Sequence, residues 1–517
     1  MRLLFILFLI LVSLKVYAQK EATNWYFGNK AGLSFSNGVP VPLTDGALVT
    51  ESATAVISDK KTGKLLFYTN GRNIWNRQHQ LMPGSKEFPK NCPSAISQPT
   101  LIVPVPGHEH LYYVFSVRFS PPADVYNCSF GYIIDAIVPE YNCEVRYSVV
   151  NMHLDDSMGD VVVTDNNILL QENVTEKITA VPHSNGRDFW LITHEWNSDA
   201  FYVYLISAAG LAKPAVQRIG SEHSSNLYDS RVSNSEIRGM MKASPDGKRL
   251  ACAVDSEVER PFDLFDFNPA TGMLSNYISL GKLEAQYGIS FSPDNSKLYV
   301  SCLSPRGTAY KDVIRQYNLE AGSKEAIIGS GQSIIQGNQS TNIPPRDLGI
   351  GYYDLQIGLD GKIYGTSHHV YNNPNTQGDK TMLIIGKPNA PGFNCKVNHR
   401  EFDLRNGNVA LGLPNFIQSY FNGLDPVDAE PQACLVEAEL YPNPTNSSVK
   451  VSLNGECMPT FNLKVVNAVG QNIMAEQIGL QTSAEVNLTK YADGLYLFIL
   501  TFPNQQQVVK KVVKVSQ

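Results

Sequence analysis

Short runs in which apolar and polar residues alternate make up most of this chain. Between positions 24 and 423, aromatic or aliphatic runs follow turns rich in Pro, Asp, Asn and Gly. Successive side chains of a strand point to opposite faces, and Asp-Gly or Asn-containing turns suit tight hairpins. Convincing amphipathic helical patterns of any length are missing. The pattern therefore predicts an all-β protein.

One unit, a polar turn followed by a strand, recurs along this region. The clearest copies are SPDGKRLACAV and SPDNSKLYVSCL, which begin at Ser244 and Ser292. Weaker copies begin at Ser58, Val103, Val181 and Gly358. Spacings of roughly 45 to 75 residues favour four-stranded propeller blades over a helical solenoid.

We expect seven blades, with six or eight as alternatives. The visible copies leave room for one more blade, and both ends of the region can supply it. NWYFGNKAGLSF, from Asn24, would pair against the last strands before GLPNFIQSYF, which begins at Gly412. Closing the ring in this way removes exposed sheet edges, which otherwise invite aggregation.

The last part of the chain predicts a separate, smaller domain. About seven alternating runs follow Tyr441, each bounded by Gly, Asn or Pro, which suits a small Ig-like β-sandwich. A stretch rich in Pro and acidic residues precedes it, as expected of an extended linker. We therefore assign residues 19–423 to the propeller, 424–435 to the linker and 436–517 to the sandwich.

Residues 1–18 have the pattern of a cleavable signal peptide. Arg2 is followed by the apolar run LLFILFLILVSL, and Val16-Tyr17-Ala18 precedes a polar segment. An uncleaved N-terminal anchor is the alternative, although Lys15 interrupts the apolar stretch. No later segment approaches 18 continuous apolar residues, so we expect no transmembrane helix after cleavage.

The C-terminal region resembles the type A sorting domain of type IX secretion system cargo. The residues that carry the resemblance, and that we predict to form the sorting signal, are Tyr441, Pro442, Asn443, Pro444, Gly470, Gly494, Tyr496, Lys510 and Lys511. The resemblance implies handling by the type IX machinery and export through the outer membrane. It also implies removal of the tail, with release of the protein or its attachment to the cell surface.

The rest of the chain carries a broader resemblance. The SPDGK-type turns are similar to those of YVTN and lactonase-like seven-bladed propellers. NWYFGNKAGL near the start and GLPNF near the end of the repeat region resemble propeller proteins that gliding or surface-colonising bacteria export by the type IX route. This resemblance implies a propeller presented outside the cell.

Composition narrows the possible partners. Charged residues make up 17% of the chain, the formal net charge is −6, and losing Arg2 and Lys15 with the signal peptide makes it −8. Basic residues are scattered singly, so no Lys/Arg stripe is available for phosphate groups and nucleic acid is not an expected partner.

The eight cysteines are an even number, which favours disulfides in an exported chain. Eight cysteines allow 105 pairings, and free buried thiols are the alternative. Our preferred pairs are Cys128 with Cys143, Cys252 with Cys302, and Cys434 with Cys457. No C-x-x-C pair is present, so a zinc knuckle has almost no support.

Three histidine groups are the main candidates for chemistry. His108 and His110 flank Glu109 in a turn, His194-Glu195 lies near His183 and two tryptophans, and His368-His369 follows a predicted strand. The first group could bind zinc and the second could serve acid–base work, but a solvated turn or loop explains both. The third could reach a propeller channel or rim. The nucleophile elbow, Walker and dinucleotide motifs are all absent from the sequence. We therefore predict no catalytic, cofactor-binding or metal residue, and leave room for a structural cation.

Aromatic runs at Trp25-Tyr26-Phe27, Tyr112-Tyr113 and Tyr352-Tyr353 could stack on sugars, although core packing is the simpler interpretation. The prediction for function is an exported protein, on the cell surface or extracellular, that binds a protein or polysaccharide. A structural component of an adhesive or gliding surface layer is one alternative. A lactonase-like or glycan-cleaving hydrolase is the other.

Overall fold

The computed structural model divides the chain into two compact units, Met1–Val427 and Asp428–Gln517. It describes residues 19–85, 96–120, 142–224, 235–256, 258–302, 313–335, 350–369, 380–427, 437–454, 461–478, 483–501 and 507–516. The boundary between the units falls inside the predicted linker. The signal peptide, Cys128, Cys434 and Cys457 lie outside the described residues.

The first unit is a ring of antiparallel sheets that follow one another in chain order. Sheet 1 contains β1 (Asn24–Phe27), β2 (Ala31–Ser34) and β3 (Val41–Leu43). Sheet 2 contains β4 (Ala55–Ser58), β5 (Leu65–Thr69) and β6 (Ile74–Asn76). The next nine strands form one continuous sheet: β7 (Thr100–Pro104), β8 (Leu111–Ser120), β9 (Asn142–Asn151), β10 (Asp160–Val161), β11 (Ile168–Pro182), β12 (Phe189–Glu195), β13 (Ser198–Ser207), β14 (Gly210–Leu211) and β15 (Ala215–His223).

Three four-stranded sheets complete the ring. They are numbered 5 to 7 because the nine-stranded sheet comprises sheets 3 and 4, as described below. Sheet 5 contains β16 (Met241–Ala243), β17 (Arg249–Cys252), β18 (Arg260–Asn268) and β19 (Met273–Leu283). Sheet 6 contains β20 (Gln286–Phe291), β21 (Lys297–Cys302), β22 (Val313–Asn318) and β23 (Gln332–Ser333), and the six-residue helix α1 (Lys324–Gly329) precedes β23. Sheet 7 contains β24 (Ile350–Ile357), β25 (Ile363–His369), β26 (Thr381–Ile385) and β27 (Val397–Glu401).

The long strand β11 belongs to two blades. Its first half pairs with β9, its second half pairs with β12, and the register shifts between Val174 and Ile178. Divided there, the nine-stranded sheet becomes sheet 3, around β7 to β9, and sheet 4, around β12 to β15. The described strands then form seven sheets, an arrangement compatible with the predicted seven-bladed propeller.

The two ends of the unit meet, as the sequence predicts, because Asn29 and Asn408 exchange backbone hydrogen bonds at 2.9 and 2.8 Å. Residues 413–417, which we call the closing segment, lie beside the innermost strand of sheet 2. Thr54 N donates to Leu413 O and Asn415 N donates to Thr54 O, at 3.3 and 2.7 Å. Trp25 of sheet 1 packs against Phe416, with ring centroids 5.9 Å apart. The C-terminal end of the unit therefore takes the innermost position of the blade that the N-terminal strands begin.

The repeated turn has the same construction in sheets 5 and 6. Ser244 N donates to Arg249 O, and Ser292 N donates to Lys297 O, both at 2.9 Å. The turn needs one residue with positive φ, which is Gly247 (72°) in the first copy and Asn295 (65°) in the second. Each turn then leads into a strand whose side chains are buried on the inner faces.

Large aromatic side chains fill the core of the propeller. Trp25, Tyr68, Tyr299 and Tyr364 are each fully buried, which confirms core packing for Trp25. Burial of one such side chain contributes on the order of 1.5 to 3 kcal/mol. Tyr26, Phe27, Tyr112, Tyr113 and Tyr352 are also buried, so they too pack inside the fold and are not displayed to sugars.

The second unit is a two-layer sandwich. Its strands are β28 (Glu437–Tyr441), β29 (Ser448–Asn454), β30 (Phe461–Asn467), β31 (Asn472–Ile478), β32 (Ser483–Asn487), β33 (Gly494–Thr501) and β34 (Gln507–Lys514). One sheet has the order β28-β29-β32 and the other β31-β30-β33-β34. Val449 and Val451 of the first sheet share a buried core with Val465, Phe498 and Leu500 of the second.

The predicted disulfide between Cys252 and Cys302 is wrong. Both are free, buried thiols, and so is Cys143, the predicted partner of Cys128. Cys252 packs with the aromatic residues of one core cluster, whereas Cys302 belongs to another. Equivalent positions on packed sheets are about 10 Å apart, beyond the roughly 4.4 to 6.8 Å between the Cα atoms of a disulfide. A repeat therefore places two cysteines alike without bringing them together.

Candidate functional site

The centre of the propeller is filled by a buried polar network. Lys242 of β16 donates from Nζ to Asp354 Oδ1 at 3.1 Å, to Leu355 O and to Gln356 Oε1 at 3.2 Å. Asp354 Oδ2 accepts the backbone N–H of Leu413 at 2.9 Å. Burial raises the pKa of Asp354 and lowers that of Lys242, and the partner charge opposes the shift in each case. All three donors of the ammonium are used, so this pair fastens sheet 5 to sheet 7 and to the closing segment.

Two amide side chains extend the network to the other side of the axis. Asn415 Nδ2 donates to Thr100 O at 3.2 Å and to Ile178 O at 3.4 Å. Gln98 Nε2 donates to Met241 O at 3.1 Å, and Gln98 Oε1 accepts Met241 N–H at 2.8 Å. Ala53, Met240 and Tyr287, with Tyr353 against them, form an apolar cluster from four sheets. In the described part of the chain, these residues therefore form contacts between sheets.

A second group of buried charges joins sheets 3, 4 and 5. Glu176 Oε2 accepts the N–H and the hydroxyl of Ser97 at 2.6 and 2.7 Å, and Lys177 Nζ donates to Arg238 O at 2.7 Å. Burial raises the pKa of Glu176, against the attraction of Arg238. Burial lowers the pKa of Lys177 to about 8. Both side chains are fully buried, so they hold strands together and are not exposed to a ligand.

Sequence reasoning missed the buried histidine pair formed by His194 and His223. Their rings stack with centroids 3.9 Å apart, and none of the four ring nitrogens has a hydrogen-bond partner among the described residues. His223 Nε2 lies 4.0 Å from Asp263 Oδ2. Burial, and secondarily Lys177, lowers the pKa of His194 to about 3, while burial raises that of Asp263 to about 6. His194 is therefore a neutral core residue, and Glu195 instead accepts the hydroxyl of Tyr202 at 3.0 Å.

The remaining histidine candidates fall into separate places, with His108 and His110 beside His153 and His183 beside a tryptophan. His110 stacks on His153 at 4.0 Å, and His108 lies 6.2 Å from His110. His183 accepts the N–H of Asn185 and packs beside Trp190. The side chains of His368 and His369 lie outside the described part of the chain. Across the described ranges, no three His, Cys, Asp or Glu side chains are placed to hold a metal ion.

An open groove lies between sheets 5 and 6, on the side of the repeated turns. Its volume is about 580 Å³, and we call it the interblade groove. The residues that line it are Asp246, Lys248, Arg249, Asp266, Phe267, Asn268, Pro269, Ser275, Asp294, Asn295 and Glu320. The two turns that border the groove were predicted from the sequence, but the cavity between their side chains was not.

Hydrogen bonds fix the polar walls of the interblade groove. Asp294 Oδ1 accepts the hydroxyls of Ser292 and Ser296 at 2.6 and 2.8 Å, and Asp246 Oδ1 accepts Ser244 Oγ at 2.6 Å. Asn295 Oδ1 accepts the N–H of Asp246 at 2.9 Å, which ties the two turns together. Side chains held by their own neighbours lose little entropy when a ligand arrives.

The YPNP motif of the second unit connects β28 to the last strand. Asn443 Nδ2 donates to Lys511 O at 2.8 Å, and Asn443 Oδ1 accepts Val513 N–H at 2.9 Å. The peptide bonds before Pro442 and Pro444 are cis, and Tyr441 is about half exposed. The predicted sorting residues Lys510 and Lys511 are exposed on the same strand, β34, that Asn443 contacts.

The other sorting residues stabilise turns and strand ends. Gly470 has φ of 83° in a turn where Asn467 Oδ1 accepts two backbone N–H groups. Tyr496 is buried next to Gly494, and its hydroxyl donates to Ala492 O at 2.6 Å, as the conserved tyrosine of Ig-like sandwiches does. Lys514, which sequence reasoning missed, donates to Asp493 Oδ1 at 3.1 Å.

Comparison with known proteins identifies the second unit. Residues 439–515 match the secretion system C-terminal sorting domain family. No curated protein matches the chain. In the described part of the chain, no helix is long and apolar enough to cross a membrane.

Several solved structures are similar to this chain at low sequence identity. The periplasmic gluconolactonase of Pseudomonas aeruginosa is 12% identical over 80% of this chain and 94% of that chain, with a TM-score of 0.34. A protein from Lactobacillus plantarum is 11% identical over 90% and 96%, also with a TM-score of 0.34. A gluconolactonase from Xanthomonas campestris is 13% identical over 52% and 74%, with a TM-score of 0.27.

The predicted sorting residues, from Tyr441 to Lys511, all lie inside the matched range. For the rest of the chain, the sequence predicts a β-propeller and the structure has the corresponding ring of sheets. The protein therefore carries a type IX secretion C-terminal sorting domain, by which it is exported through the outer membrane to the cell surface or extracellular space.

Proposed function

We propose that this protein is a recognition protein outside the cell, in which the propeller binds a protein or polysaccharide partner. The observation that carries this proposal is the interblade groove, a polar cavity of about 580 Å³ whose walls are fixed by hydrogen bonds. Small-molecule sites of proteins are clefts of roughly 300 to 1,000 Å³ that are mostly apolar and carry a few well-placed polar groups. The groove has such a volume, but nearly all the residues that line it are polar or charged, which suits a polar partner.

The way in which the buried charges are used supports binding over hydrolysis. A hydrolase of the lactonase or glycan-cleaving kind would need catalytic groups that converge on the channel and face a substrate. The ammonium of Lys242 uses all its donors on Asp354, Leu355 and Gln356, and the closing segment takes up the innermost place. These charged groups serve the contacts between sheets.

The test is a binding experiment with the exported protein. It would be titrated against a panel of polysaccharides and against intact producing cells, with and without chelator. Saturable binding to a glycan or to cells is the expected result, and sensitivity to chelator would identify a structural cation.

Two results would overturn the proposal. Turnover of a lactone or glycan would make the protein an enzyme. Absence of all binding, together with concentration-dependent self-association in analytical ultracentrifugation, would make it a structural component of the surface layer.

A further inference from the structure

We infer that the interblade groove is a binding site for a neutral oligosaccharide. This inference rests on the proposed function and adds to it the chemical class of the ligand and the residues that contact it. The groove lies between β17–β18 of sheet 5 and the Ser292 turn of sheet 6, so strand ends and hydrogen-bonded turns together supply its walls.

The wall presents donors and acceptors side by side. Asp266 and Glu320 supply exposed carboxylate oxygens, Arg249 supplies a guanidinium, and Asn268 supplies an amide that can do both. A sugar hydroxyl also donates and accepts, so neighbouring hydroxyls of one ring can bond to an acid and a base at once. This mixture suits a polyol better than a ligand that has only hydrogen-bond donors or only acceptors.

Arg249 retains donor capacity for such a ligand. Its Nη1 and Nη2 atoms are each 3.4 Å from Leu319 O, and its Nε is 3.9 Å from Asp266 Oδ1. These separations are long, since N–H···O hydrogen bonds are normally about 2.7 to 3.2 Å. The Arg249 and Asp266 side chains are 30% and 51% exposed. Asp266 is held through Oδ2, which accepts Asn276 Nδ2 at 2.7 Å, so its Oδ1 is the oxygen that can accept a hydroxyl in the groove.

Charge selects against acidic glycans. The lining has four carboxylates, on Asp246, Asp266, Asp294 and Glu320, but only two cationic side chains, on Lys248 and Arg249. The whole chain is also negative, with a formal charge of −6. A uronate or sulfate would enter a field of its own sign, whereas a neutral sugar meets no such repulsion. Pro269 adds a small apolar surface beside these polar groups, whereas Phe267 is buried in the core.

The experiment measures binding by isothermal titration calorimetry with the exported full chain. The probes are hexasaccharides of neutral β-glucan, xylan, mannan and chitin, with oligogalacturonate as the anionic comparison. Wild-type protein is expected to bind at least one neutral series saturably, and oligogalacturonate at least tenfold more weakly.

Two variants test the groove itself. Asp266→Asn keeps the shape of the side chain and removes its charge, whereas Arg249→Gln removes the guanidinium and leaves a shorter polar side chain, and each is expected to weaken the affinity at least tenfold. Arg187→Ala is the matched control, because Arg187 is an exposed basic residue in the corresponding turn of sheet 4, outside the groove. The control should bind as the wild type does, and thermal melting of all three variants confirms that they are folded.

The outcomes separate this inference from the proposed function. If a glycan binds equally to wild type and both groove variants, the site lies elsewhere and only the inference fails. If cells bind the protein but no neutral glycan does, the partner is of another class, and again only the inference fails. Preference for oligogalacturonate would overturn the charge argument. Absence of any binding to glycans or cells would overturn both the inference and the proposed function.

Discussion

Lys242 and Asp354 are charged residues in a place from which water is excluded. Both side chains are only 2% exposed, and their charged atoms are 3.1 Å apart. Removing one partner of a buried pair leaves the other charge without compensation, which typically costs about 3 to 5 kcal/mol. We therefore expect Lys242→Met to lower the free energy of unfolding by about that amount, as measured by urea denaturation.

A double variant distinguishes the cost of an unpaired buried charge from the cost of altered packing. In Lys242→Met combined with Asp354→Asn, the buried carboxylate is gone, and the asparagine oxygen can still accept Leu413 N–H. The double variant should recover much of the lost stability. If Lys242→Met alone were as stable as the wild type, the pair would have no role in fastening the sheets.

The histidine pair predicts a pH dependence of stability. Burial, and then His194, keeps the pKa of His223 well below the ordinary 6.5. Below pH 6.5 the unfolded chain therefore binds a proton that the folded chain does not, so stability falls as the pH falls. Asp263 has the opposite effect on stability. Its pKa in the folded state is about 6, above the ordinary 3.8, so the folded chain takes up a proton first and becomes more stable as the pH falls through 6.

A difference measurement isolates this histidine from the other titrating groups. Unfolding of the wild type and of His223→Leu would be followed at pH 7.5, 6.5, 5.5 and 5.0. Relative to the variant, the wild type should lose up to about 1.4 kcal/mol per pH unit below pH 6.5. A difference that stays constant over this range would mean that His223 protonates alike in both states.

At the scale of elements, the closing segment joins more sheets than any other stretch described above. Asn415 alone bonds to strands of sheets 2, 3 and 4. Asn415→Ala would leave the carbonyls of Thr100 and Ile178 without this donor, and a buried group without its partner costs about 1 to 3 kcal/mol. We expect a loss of that size or larger in urea denaturation. Asn422→Ala, an exposed site nearby, is the control and should change stability by less than about 0.5 kcal/mol.

The elements differ in how much of them the sequence could predict. Asp-Gly and Asn turns set their hairpins locally, so the copies at Ser244 and Ser292 were predictable from a few residues. The closing segment was predictable because NWYFGN and GLPNF stand at the two ends of the repeat region. Helix α1 was missed, since one turn capped by Ser323 leaves no periodic pattern.

The candidate site was much less predictable than the fold. The interblade groove depends on the distance between two sheets, and no local pattern in either sheet encodes that distance. Residues such as Asp266 and Glu320 are distant in sequence from the Ser292 turn, and neither belongs to a motif. The same limit explains the wrong pairing of Cys252 with Cys302, where repeat position was a poor guide to distance.

At the scale of the whole molecule, the two units have separate cores and separate tasks. The first unit ends at Val427, inside the predicted linker, where Leu424 still packs against its core. The sandwich has a core of its own around Val451, Val465 and Phe498. The sorting domain can therefore be removed without taking a strand from the propeller. Export and recognition should be separable for the same reason.

A chain that ends at Val427 tests this separation. It keeps the closing segment, so we expect it to fold and to melt as the propeller does in the full chain. Without residues 439–515 it should remain in the periplasm, which immunoblots of periplasm, cell surface and medium would show. The reciprocal control joins residues 428–517 to a fluorescent protein that carries a signal peptide, and this fusion should leave the cell. If the truncated chain reached the surface or medium at the full-length level while folded, the sandwich would not be the export signal, and the route would have to be encoded in the propeller.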